Sequence, residues 1–154
     1  MNVAVADADR FDIDQGAVGD FVTSILTREG VALGASLAIT FVSVGEIADL
    51  NERFLGHDGP TDVLSFPIED ATPGEPPTAP EDGPGLELGD IFICRDVVAN
   101  HAEEYGVMFV DELFLMVCHG VLHILGWDHQ TEVDTVAMEA REAEHLSTIG
   151  RRRR

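Results

Sequence analysis

A chain of 154 residues, 45% of them apolar, has material for the core of one domain, and with no run of about 18 apolar residues it offers no membrane-spanning segment. Nine arginines, no lysine and 29 acids give a formal charge of −20, and residues 1–150, with five of those arginines, carry −24. Such a body repels polyanions at long range, which argues against nonspecific nucleic-acid binding and requires a local cationic spot for any RNA ligand.

The first residues, MNVAVADADRF, lack the basic-then-apolar order of a secretory signal, which predicts a cytoplasmic protein. Residues 3–5 read as a short strand. Val18, Phe21, Val22, Ile25 and Leu26 then fall on one face of a helix ending near Gly30. Ser36 to Val44 alternates and is β-branched, a strand pattern. Ser43 and Glu46 have capping-box spacing for a helix with Ile47, Leu50 and Phe54 on its buried side. Asp62 to Ile68 and Gly89 to Cys94 are two further strands.

Between those strands, residues 69–88 hold five prolines, three glycines and six acids, the composition of a mobile loop with a disordered tip. A helix from about Asp96 to Tyr105 stops at Gly106. The next, about Val110 to Leu125, is apolar nearly all round and predicts the central, buried helix. Thr131 and Asp134 cap a last helix whose Val133, Val136, Ala137, Ala140 and Ala143 are expected to face inward. Cys94 and Cys118 are too few for a disulfide framework and read as reduced and buried. The interleaved elements predict an α+β domain, a small mixed sheet covered by helices, over residues 1–150. The four arginines at 151–154 read either as a solvated end or as an RNA-contacting arm.

The stretch CHGVLHILGWDH, residues 118–129, carries the chemistry. His119 and His123 lie one turn apart on one face of the central helix. Gly126 is placed to end that helix in a left-handed turn, which brings His129 back toward the pair. Three imidazoles on so apolar a helix predict a metal site with one open position; zinc is the first choice for an all-nitrogen, redox-silent set, and imidazole also suits nickel, copper and iron among other divalent metals. Zinc held by three neutral ligands keeps its full charge and can lower the pKa of a bound water to roughly 7. Cys118 lies about 100° around the helix from His119, off the ligand face. Asp128 is a candidate to fix a ligand tautomer. The histidine skeleton matches that of metzincin proteases, but those place Glu after the first His, where this chain has Gly120, so peptide hydrolysis is not expected.

HGVLHILGWDH also closely resembles the H-G-x-L-H-x-x-G-[YW]-D-H signature of the YbeY family. GPTDVLSFP (59–67), LGDIFIC (88–94) and the M-E-x-x-E pattern of Met138, Glu139 and Glu142 resemble further segments of it. The resemblance implies a single-strand-specific endoribonuclease requiring a divalent metal, expected to be zinc, that acts in small-subunit ribosomal RNA 3′-end maturation and ribosome quality control. It implies His119, His123 and His129 as metal ligands, a metalloprotease-like α+β core, and single-stranded RNA, the ribosome and ribosome-associated proteins as partners. The family's aromatic-Arg-Gly triplet is Phe54-Leu55-Gly56 here. The cationic contact to phosphate then falls to Arg53, His57, Arg95 or the terminal arginines, and Asp128, His57, Arg53 and Ser65 are the candidates for catalytic groups. The alternatives are a metal-stabilised ribosome-assembly factor with little catalysis and, third, a zinc protease.

Overall fold

The computed structural model describes residues 1–7, 13–79 and 82–154. Its elements run β1 (Asn2–Asp7), α1 (Gln15–Arg28), β2 (Ser36–Val42), α2 (Val44–Leu55), β3 (Val63–Pro67), β4 (Glu87–Cys94), α3 (Arg95–Tyr105), α4 (Phe109–Ile124) and α5 (Glu132–Ser147). The four strands form one mixed sheet in the order β1-β2-β4-β3. β1, β2 and β4 run parallel, and β3 runs antiparallel to β4. This is the α+β architecture that the residue pattern predicts.

Alternation divides the sheet between two cores. Leu37, Ile39 and Phe41 of β2 and Ile91 and Ile93 of β4 pack with α1 and the central helix α4. On the other face Leu64 and Cys94 join Val42 and Ile47, with α2 as their cover. α4 is buried along most of its length, from Glu112 through Cys118 to Ile124. Cys94 and Cys118 are both buried. No single helix among the described residues is long and apolar enough to cross a membrane.

Caps follow the sequence. Ser43 Oγ accepts the Glu46 backbone N–H, and Thr131 Oγ1 accepts that of Asp134. Two buried faces differ from expectation. Phe54 is 58% exposed: α2 covers the sheet with Ile47 and Asn51, and the Phe54 ring makes an edge contact with Phe66 of β3. In α5 the buried residues are Met138, Glu142, His145 and Leu146, whereas Val133, Val136, Ala137, Ala140 and Ala143 are all exposed. The inward stripe is half polar because it meets charged partners, so hydrophobic periodicity selects the wrong side.

The long connection between β3 and β4 ends earlier than expected, with Leu86 buried and β4 beginning at Glu87. Its described part lies against the body: Thr72 bridges Glu75, Ala79 packs on the core, and the Ala71 backbone lies against Gly126. The expected disordered tip includes residues 80–81, which lie outside the described residues.

Residues 151–154 do not stand off the domain. Arg151 pairs with Asp111 at 2.7 Å, Arg153 with Glu142 at 3.0 Å and Glu139 at 3.2 Å, and Arg154 with Glu112 at 2.7 Å. Hydrogen bonds from Gly150 N–H to Ser147 and from Arg151 N–H to Leu146 turn the chain sharply after α5 and direct it back onto α4.

Candidate metal centre

The site is built where α4 ends. Gly120 lets the helix approach the sheet: a Cβ there would stand 3.0 Å from Ile91 and 3.2 Å from Val63. The same close packing lets Ser65 Oγ of β3 donate to the Gly120 carbonyl at 3.0 Å. One turn later the helix closes with Gly126 N–H to His123 and Trp127 N–H to Leu122, the paired bonds of a Schellman turn. Gly126 sits at φ +94°, and any Cβ would collide with the Ala71 carbonyl, so only glycine fits. Asp128 then accepts the His129 backbone N–H at 2.7 Å and fixes the chain that brings the third imidazole back.

The turn gathers the three histidines as their spacing predicts. One ring nitrogen from each of His119, His123 and His129 lies within 4.8 Å of the other two. His119 and His123 are half-buried and His129 is exposed, so the group opens to solvent on one side.

Hydrogen bonds settle which nitrogens are available. His123 Nδ1 lies 2.8 Å from the Trp127 carbonyl, which only accepts, so Nδ1 carries the proton. Burial, then the neighbouring His119, pushes the His123 imidazole down to about 4, so this ring is neutral at pH 7 and its Nε2 is a bare lone pair. His119 Nδ1 lies 2.8 Å from Oε2 of Glu142, a carboxylate only 1% exposed. Burial alone would raise the Glu142 carboxyl, but the bonds and charges of His119 and Arg153 outweigh it and hold the group below its ordinary value. An ionised Glu142 fixes the proton on His119 Nδ1 and directs Nε2 at the other ring.

The two Nε2 atoms are 3.0 Å apart. With both Nδ1 atoms protonated their lone pairs converge, an arrangement that a shared proton or a metal ion satisfies. Two imidazoles bound to one tetrahedral zinc at about 2.0–2.1 Å have nitrogens roughly 3.3 Å apart, so the pair already has nearly the required separation. The donor set therefore fits a single divalent ion on His119, His123 and His129.

The other sequence candidates are placed differently. Asp128 holds backbone, while the ring nitrogens rest on Glu142 and the Trp127 carbonyl. Arg53 pairs with Asp49 at 3.3 Å and stacks over Phe54 on exposed α2. His57 is exposed just beyond that helix, and Arg95 lies over Phe109. Ser65 commits its hydroxyl proton to the helix. None of these five lines the cavity of about 220 Å³ beside the histidines, which is bounded by His119, His129, Thr135, Met138, Glu139, Glu142 and Arg153. Glu142 and Arg153 stand beside the histidines, and spacing alone did not single them out. The M-E-x-x-E resemblance was the one signal pointing to Glu142.

Fold and site together define an α+β protein organised around a three-histidine group that could hold a metal ion. A family profile described as Endoribonuclease YbeY matches residues 5–150. Proteins named Endoribonuclease YbeY are similar over most of the chain. That of Moorella thermoacetica is 41% identical over 144 residues (88% of this chain, 92% of its own), and that of Salinispora tropica 39% over 148 residues (92% and 93%). The solution structure of TM1509 from Thermotoga maritima matches with a TM-score of 0.59 and 25% identity, covering 96% of this chain and 91% of that one. The chain belongs to the YbeY family.

Proposed function

We propose that this protein is a metal-dependent endoribonuclease, with zinc as the metal and single-stranded RNA as the substrate, acting in the cytoplasm on small-subunit ribosomal RNA 3′ ends and in ribosome quality control. Family membership supports the RNA-cleaving activity. The observation that carries the metal requirement is the facing pair of Nε2 atoms on His119 and His123, with His129 beside them.

A divalent ion bound there supplies Lewis acidity toward a phosphoryl oxygen and toward water. The chain's own part is to hold the ligands. The Trp127 carbonyl and Glu142 fix the tautomers, and the Gly126 turn with Asp128 fixes the position of His129.

The test is metal analysis with RNA cleavage on wild type and His123→Ala. Wild type is expected to bind about one zinc per chain and to cut single-stranded RNA, with chelator or the substitution abolishing the cutting. Cutting that survives both would overturn the reading. A second reading, a metal-stabilised ribosome-assembly factor with little catalysis, draws on the position of Arg53, His57 and Arg95 outside the cavity. Zinc binding and small-subunit association without cleavage would select it.

A further inference from the structure

Glu142 is buried, and both its oxygens are engaged: Oε2 with His119 Nδ1 and Oε1 with Nε of Arg153. Among the described residues no other donor reaches it. Arg153 also spans to Glu139 at 3.2 Å, which fixes the guanidinium from a second side. Among the described residues it is the one arginine lining the cavity that His119 and His129 share. We propose that Arg153 is a positioning residue of the metal centre, holding Glu142 against His119 so that Nε2 faces the ion, and that residues 151–154 thereby belong to the site. This inference rests on the metal-binding reading above.

The chemistry follows from the geometry. Without Arg153, Oε1 of the buried Glu142 would have no partner and the carboxylate would be free to turn away from His119. Such a turn weakens its hold on the His119 N–H, and ligands whose supporting partner is removed typically lose about 10–100-fold in metal affinity. Arg153 prevents it by satisfying the second oxygen with a charge-assisted bond. It also offsets the charge of the two acids, Glu139 and Glu142, that line the same cavity. Arg154 provides an internal comparison, since it neutralises the equally buried Glu112 at 2.7 Å but makes no bond to Glu142.

The experiment titrates zinc into the metal-stripped full chain against a chromophoric chelator, with the cobalt spectrum of the site as a second readout. Arg153→Ala is expected to weaken zinc binding about 10–100-fold and to alter the cobalt spectrum, and Arg153→Lys to recover most of the affinity. Glu142→Gln should show a similar loss, and adding Arg153→Ala to it should change little. Arg154→Ala should lower the melting temperature yet leave zinc affinity within about twofold, a difference below that expected of any partner of a ligand. If Arg153→Ala does not fold, Arg153→Met keeps the stem without a donor and carries the same expectation. Zinc affinity unchanged in the Arg153 variants, or lost equally in Arg153→Ala and Arg154→Ala, would overturn the proposal. Absence of zinc binding by wild type would instead overturn the metal reading itself, and this inference with it.

Discussion

Position 120 is where this chain and the metzincin skeleton differ, and its surroundings explain why glycine is kept. A side chain there would leave the helix toward Ile91 and Val63, both core-facing residues of the sheet, and not toward the histidines. Gly120→Glu would restore the protease-like sequence but place a carboxylate among aliphatic groups with no partner. We expect a loss of at least about 3–5 kcal/mol, enough to leave little folded protein, and no peptidase activity. Circular dichroism melts and soluble yield measure it. A folded Gly120→Glu protein with the wild-type melting temperature would show that the helix stands further from the sheet. At this scale the gathering of the three histidines and the Gly126 turn were legible because they depend only on helical spacing and on a left-handed backbone. Glu142 and Arg153 were not derivable that way, since Glu142 reaches His119 across 23 residues and Arg153 reaches Glu142 only after a reversal at Gly150.

Helices and strands were legible wherever burial is apolar. α1 and α4 present aliphatic stripes to one sheet face, and periodicity finds such stripes. α5 defeats the same rule because its inward stripe, Met138, Glu142, His145 and Leu146, buries two titratable groups whose partners are remote in sequence. His145 Nε2 lies 2.7 Å from Glu29 Oε1, 116 residues away, and Arg141 Nε donates to the same oxygen at 2.6 Å. This cluster fastens α5 to the end of α1. Burial pushes the Glu29 carboxyl up, but the His145 and Arg141 bonds outweigh it, so its folded pKa lies below the ordinary 4.5. Near that pH the unfolded chain takes up a proton before the folded one does. The stabilisation is therefore complete at neutral pH and is lost as pH falls through the lower, folded value. In chelator-treated protein, Glu29→Gln should cost about 1–3 kcal/mol at pH 7, and the gap to wild type should narrow as pH drops below about 4.5. Urea unfolding at pH 7 and at acid pH checks it. A gap that stays constant would mean that Glu29 is not held as an anion in the fold.

Across the whole molecule the excess of 29 acids over nine arginines acts as a field that no single contact cancels. Three of the four terminal arginines are already spent on Asp111, Glu112, Glu139 and Glu142, so the tail lowers the charge around α4 and α5 and leaves little cation for a distant RNA. Compaction brings the remaining acids together, and their repulsion favours the unfolded chain. The screening length shrinks from about 10 Å at 0.1 M salt to about 3 Å at 1 M, so repulsion between separated surface acids fades with salt, whereas buried pairs such as Arg154–Glu112 are screened much less. Raising sodium chloride from about 0.05 to about 0.5 M should therefore stabilise the metal-free protein by on the order of 1–2 kcal/mol, a rise of roughly 2–8 °C for a domain of this size. A chain ending at residue 150 should show a lower melting temperature at every salt concentration and a steeper rise, because it carries −24 in place of −20 and leaves Glu112 and Glu142 without their arginines. Calorimetry on both chains across the salt series decides it. A melting temperature that falls with salt in the full chain would mean that the surface ion pairs, and not the net charge, dominate the electrostatics of this fold.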